Sequence, residues 1–263
     1  MKQIDYYEFG SPNEFLAPIW SCLREPDQGL IRYYDSVLNA PYDKKRFRRP
    51  GVFRNIGTLD YQAIFSNHQS IRCLDLPIKM GGSKEYRIPV EFEQFLEPIS
   101  KMVAFEHAHN KEVEQFYAYL TIDQSVPIKE FHREPGLHVD GFQGARISPK
   151  VWCDRSYIVS DCDTPSFWNQ SFESVENMDE STQNLFHEFD RTKHYSSEIR
   201  CEPYAMYFMD SYAVHSANRA TQNRTFLRVS YSVRQYDRLG NSHNNCFDYK
   251  WEMFERNIAT SLT

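Results

Sequence analysis

From about residue 113 to 237 the apolar residues recur every second position, and this period of two limits the fold more than any other feature of the chain. "EQFYAYLTIDQ" sets Phe116, Ala118, Leu120 and Ile122 against Tyr117, Tyr119 and Thr121, and "RSYIVSD", "YAMYFMDS" and "RTFLRVSYSVRQY" alternate in the same way. Successive side chains of a strand point to opposite faces, so each segment reads as a strand with one packed face. Aromatic residues make up 15% of the chain, which suits such surfaces. Pro, Gly, Asn and Asp punctuate the segments, and no helical pattern alternates with them. The expectation is an α+β, mainly β chain, a sandwich or barrel with helices on one outer face, and not a series of βαβ units.

The helical signals lie earlier. Ser11, Pro12 and Glu14 in "SPNEFLAPIW" form a helix start, and "PVEFEQFLEPISKMVAFEHAH" repeats Phe92, Phe95, Ile99, Met102 and Val103 at helical spacing, with Pro98 as a kink. The acidic stretch 173–190 reads as a helical or loop insertion. With no internal repeat or linker, residues 1–263 read as one domain: a helical or mixed segment over 1–112, a β core over about 113–237 and an extension over 238–263.

Charge and cysteine content exclude several functions. A formal net charge of -6 gives no general footprint for nucleic acid, and the basic run "DKKRFRRPG" reads as a solvated loop. No apolar run reaches the length of a membrane helix and no leader pattern opens the chain, so a cytoplasmic location is expected, with no membrane partner. Six scattered cysteines without a CxxC pair argue against a zinc knuckle or a disulfide scaffold.

"HREPGLHVDGFQGAR" places His138 and Asp140 two apart, on one face of a strand, as half of a metal site. The third ligand is sought among the other histidines. His107 and His109 end a helix, where residues two apart diverge, and read as surface groups; His187, His194 and His243 lie in polar segments. His215 closes the apolar "EPYAMYFMDSYAVHSA", where a satisfied core histidine is the ordinary explanation. Together the three form a 2-His-1-carboxylate set, the arrangement that holds Fe(II) with positions left open. In the next strand Arg224, Phe226, Arg228, Ser230 and Ser232 share the face opposite Leu227, Val229 and Tyr231, and an inward arginine calls for an anion.

"HVDGFQG" followed by "YFMDSYAVHSANRATQNRTFLRVSYS" resembles the His-x-Asp, distal His and downstream Arg of the Fe(II)/2-oxoglutarate-dependent oxygenases over about residues 113–237. The resemblance implies a double-stranded β-helix (jelly roll, cupin-like) with flanking helices at both termini. It also implies iron on His138, Asp140 and His215, 2-oxoglutarate as cosubstrate and O2 as oxidant. Arg224 and Arg228, nine and thirteen residues beyond His215, both suit the cosubstrate's far carboxylate, with Ser230 and Tyr119 beside them, and that choice stays open. The implied reaction is hydroxylation, or desaturation or ring closure, coupled to decarboxylation of 2-oxoglutarate. Gly136, Gly141 and Gly144 would let the backbone turn tightly around the centre.

Phe142, Gln143, Arg146 and Trp152 follow the ligand pair and are the candidate substrate contacts. The acidic balance and a spare arginine favour a small carboxylate-bearing substrate, an amino acid or a derivative of one. Two rivals share the same ligands: an iron oxygenase that does not use 2-oxoglutarate, and a cupin-like isomerase or binding protein.

Overall fold

A computed structural model describes residues 6–9, 26–59, 70–126, 136–140, 152–179 and 183–255. The helix start at Ser11 lies outside them. The strands are β1 (Tyr6–Phe9), β2 (Phe53–Thr58), β3 (Arg72–Lys79), β4 (Tyr86–Pro89), β5 (Tyr117–Val126), β6 (Arg155–Ser160), β7 (Ser166–Trp168), β8 (Glu198–Arg200), β9 (Ala205–Asp210), β10 (His215–Ser216) and β11 (Arg224–Ser232). The α-helices are α1 (Gln28–Tyr33), α2 (Leu96–His109) and α3 (Leu185–Thr192).

A large antiparallel sheet runs β1-β4-β3-β5-β11-β6-β9-β2, and a small one runs β10-β7-β8. The chain crosses repeatedly between them: β5 and β6 join the large sheet, β7 and β8 the small, β9 the large, β10 the small and β11 the large. Segment 136–140 joins the edge of the small sheet through a bridge from His138 to His215. β1 to β4, all before residue 113, extend the large sheet on both sides of that alternating core.

The period of two in the sequence becomes two differently used faces. Leu120, Ile122, Tyr157, Val159, Phe208, Leu227, Val229 and Tyr231 pack together with Ile99, Met102 and Val103 of α2 in the main core. Full burial of each such side chain stabilises by roughly 1.5 to 3 kcal/mol. The opposite face turns to the small sheet, where Ile158, Tyr207, Met209 and Phe226 meet Phe167. Arg228 lies on this inner face, level with Thr121 of β5 and Ile158 of β6.

Pro98 does not kink α2. It stands in the first turn, where its missing N–H would have had no partner, and a 3-10 turn over Val90–Phe95 leads in. His107 and His109 are not surface groups either, because α2 is packed on nearly every side. His109 is buried, with Nδ1 on the Phe105 carbonyl and Nε2 accepting from the Asp27 N–H, and half-buried His107 bonds the Tyr86 hydroxyl at 3.0 Å. His187, His194 and His243 are exposed.

The basic run is a short 3-10 helix, Lys44–Arg48, docked through buried Phe47; Lys44 donates to the Met178 carbonyl and Arg48 pairs with Glu176. Residues 238–255 hold no helix. They carry turns and a bridge from Arg238 to Phe254, so the expected C-terminal helix is missing there: Gly240, Asn241, Asn244 and Asn245 favour turns over helix. Among the described residues no helix is long and apolar enough to cross a membrane. Cys73, Cys153, Cys162, Cys201 and Cys246 are free and buried.

Candidate metal centre

His138 and His215 face each other across one antiparallel bridge, each backbone N–H donating to the other's carbonyl at 2.9 Å. Alternation then sorts the neighbours. Leu137, Val139 and Val214 turn outward into a cluster with Phe47, Trp168, Leu185 and Phe189. The side chains of His138, Asp140 and His215 converge on the other side, their ligand atoms all within 4.8 Å of one another.

Two contacts set the imidazoles. His138 Nδ1 lies 3.0 Å from the Gly136 carbonyl and His215 Nδ1 lies 2.9 Å from the Ala213 carbonyl. A carbonyl oxygen only accepts, so each Nδ1 carries the proton and each Nε2 keeps its lone pair for the shared space. The rings stand 4.3 Å apart at 61°, with Phe167 stacked on His215 and Phe186 edge-on to His138. Asp140 Oδ2 completes the set, 3.7 Å from His215 Nε2. Two imidazole nitrogens and one carboxylate oxygen are a donor set that suits Fe(II), so the residues fit the metal that the sequence suggests.

Helix α3, from the acidic insertion, braces the approach to His138. Gly136 has φ +119°, and a Cβ there would stand 3.2 Å from Asp190 Oδ2, which also accepts from the Leu137 N–H. Glycine is needed at this turn for both reasons. Gly141 and Gly144 lie outside the described residues.

Arg228 reaches the centre from β11. Its Nη1 donates to Asp140 Oδ2 at 3.1 Å and its Nη2 to Asp75 Oδ1 at 3.0 Å. Burial pulls its pKa down, but the two carboxylates outweigh this and hold it above the ordinary arginine value. Arg224 does not join it. It is buried, with Nη1 on the carbonyls of Asp163 and Asn218, and a bulge separates it from Phe226 in the pairing with β5. Burial lowers its pKa.

Ser230 bonds Ser156 Oγ at 2.9 Å, two residues along β11 from Arg228. The Tyr119 hydroxyl donates to the Arg234 carbonyl and accepts from the Tyr236 N–H, and its ring stacks on Tyr236 at 4.1 Å, so it fastens the chain after β11. Trp152 packs with Phe116 on the α2 side of the large sheet. Phe142, Gln143 and Arg146 lie outside the described residues. Asp75 is a site residue that pattern reading misses; its only trace in the sequence is a charge inside the apolar "CLDLPIK".

No protein-family model matches the chain, and no curated protein matches it. Among solved structures it is similar to EvdO2 from Micromonospora carbonacea var. aurantiaca, with 15% identity over 54% of this chain and 61% of that one and a TM-score of 0.33. It is also similar to EvdO2 complexed with 2-oxoglutarate, with 12% identity, 80% and 92% coverage and a TM-score of 0.37. A third is an oxidoreductase of the 2OG-Fe(II) oxygenase family from Burkholderia pseudomallei, with 9% identity, 66% and 69% coverage and a TM-score of 0.31. The match spans 61% of the first of these structures. At these scores the likeness assigns neither fold nor activity to the chain.

Proposed function

We propose that this chain is a non-haem Fe(II)- and 2-oxoglutarate-dependent dioxygenase. The carrying observation is the pair of histidines whose Nδ1–H groups are tied to backbone carbonyls while their Nε2 atoms converge with Asp140. The alternation of chain segments between two facing sheets supports reading the core as a double-stranded β-helix, with the ligands between the sheets.

His138, Asp140 and His215 would hold Fe(II), which with 2-oxoglutarate and O2 supplies the oxidising power for attack on a C–H bond. The residues around it have separate tasks. Arg228 fixes the Asp140 carboxylate and brings positive charge to the centre; Phe167 packs on the face of the His215 ring and Phe186 meets the His138 ring edge-on, holding both imidazoles in place. The substrate proposed is a small carboxylate-bearing molecule, an amino acid or a derivative, with Arg228 as the cation that would meet its carboxylate in place of one of the chain's own. No membrane or nucleic acid is needed as partner.

One observation favours a second reading, an iron oxygenase that does not use 2-oxoglutarate: both hydrogen-bonded arms of Arg228 already hold carboxylates of the chain. An oxygen-free titration with Fe(II) and then 2-oxoglutarate separates the two. The first reading expects the weak visible absorption of a 2-oxo acid chelated to Fe(II), absent in His138→Ala. Iron binding without that absorption favours the second, and no iron binding removes both.

A further inference from the structure

We infer that Asp75 is a positioning residue that occupies, in the resting protein, the arm of Arg228 that a dicarboxylate would take, and so sets the affinity of the centre for such ligands. This inference rests on the 2-oxoglutarate reading above.

Three observations carry it. Asp75 sits in a bulge of β3 between Cys73 and Leu76, with φ +47°, a left-handed conformation uncommon for residues other than glycine. Bulges re-aim side chains, and this one turns a carboxylate inward from a strand whose neighbours are apolar. Second, Asp75 is braced: Thr121 Oγ1 accepts from its N–H at 3.0 Å and donates to its Oδ1 at 3.2 Å. Third, the Oδ1 so held is the atom that receives Arg228 Nη2, with both side chains mostly buried, at 14% and 19% exposure.

The charges make the consequence. Asp75 and Asp140 share one guanidinium, so the three side chains sum to a single negative charge. This favours a cation at the neighbouring ligands and opposes an anion at Arg228. A ligand whose second carboxylate takes the Nη2 arm competes with Asp75 for it, whereas a 2-oxo monocarboxylate has no group that needs this arm.

The test is calorimetric binding of 2-oxoglutarate and of 2-oxopentanoate, which has the same chain length without the far carboxylate, to the Fe(II)-loaded full chain without oxygen. Asp75→Asn is expected to tighten 2-oxoglutarate by about tenfold, worth about 1.4 kcal/mol, and to leave 2-oxopentanoate unchanged. Thr121→Val, which removes the brace and keeps both charges, should shift 2-oxoglutarate in the same direction by less, and serves if Asp75→Asn unfolds. Equal shifts for both ligands, or none, overturn the role of Asp75 and leave the dioxygenase reading standing. If neither ligand binds native or variant protein while iron does, both fall together.

Discussion

His138 and His215, far apart in sequence, are joined by two reciprocal backbone hydrogen bonds of 2.9 Å, and their side chains leave that bridge on the same side. The two imidazoles are therefore placed by main-chain pairing. His138→Ala or His215→Ala removes a donor and leaves the pairing intact. We expect either variant to lose Fe(II) retention on anaerobic gel filtration while far-UV circular dichroism is unchanged; retained iron would remove that histidine from the ligand set.

Gly136→Ala should act on the centre without touching a ligand. The new Cβ meets Asp190 at a φ that L-residues avoid, at a cost of about 1 to 3 kcal/mol in denaturant unfolding. Gly82, at φ +77° with nothing within 4 Å, is the control. Alanine at either glycine should lower stability, but only Gly136→Ala should weaken Fe(II) binding.

The α2 side encloses a buried ion pair. Arg155 Nε donates to Glu106 Oε1 at 2.9 Å, both side chains fully buried, and Tyr34, Tyr157 and Asn110 complete the carboxylate's hydrogen bonds. Glu106→Ala leaves Arg155 without its counter-ion and should cost about 3 to 5 kcal/mol. Replacing the pair together, Glu106→Leu with Arg155→Met, should cost less. A double variant less stable than Glu106→Ala would show that the pair itself stabilises the fold.

Acid sensitivity should have a traceable source in His107. Burial pushes its imidazole down to about 4 from an ordinary 6.5, the adjacent Glu106 pulling the other way without prevailing. The unfolded chain takes up the proton near 6.5 and the folded one only near 4, so the neutral form's contribution is complete above 6.5 and is lost as pH falls from 6.5 to 4. Unfolding free energy should fall in that window with a slope of at most about 1.4 kcal/mol per pH unit from this group. His107→Gln should flatten the slope; an unchanged profile would assign the sensitivity elsewhere.

The parts of the site that follow strand periodicity were legible in the sequence. His138, Asp140 and Arg228 could be placed on inward faces because alternation is local, and Leu227, Val229 and Tyr231 pack as expected on the opposite side. Asp75 was not legible because it depends on a bulge, which breaks the alternation from which side-chain direction is read. Arg224 shares a phase with Arg228 in the sequence, but a register shift lies between them and its guanidinium meets the carbonyls of Asp163 and Asn218 instead. His109 is buried because a helix in the middle of a packed layer hides residues that an isolated helix would expose.

The alternation around the centre also separates what this chain is free to change. Leu137, Val139 and Val214 answer to the neighbouring apolar cluster, while His138, Asp140 and His215 answer to whatever the centre binds. Because the two groups interleave along the same backbone, exchanging Asp140 for a different donor leaves the apolar cluster untouched and falls on its partner Arg228 instead. A substitution at His138, Asp140 or His215 therefore changes the donors of the centre while Leu137, Val139 and Val214 keep their apolar contacts.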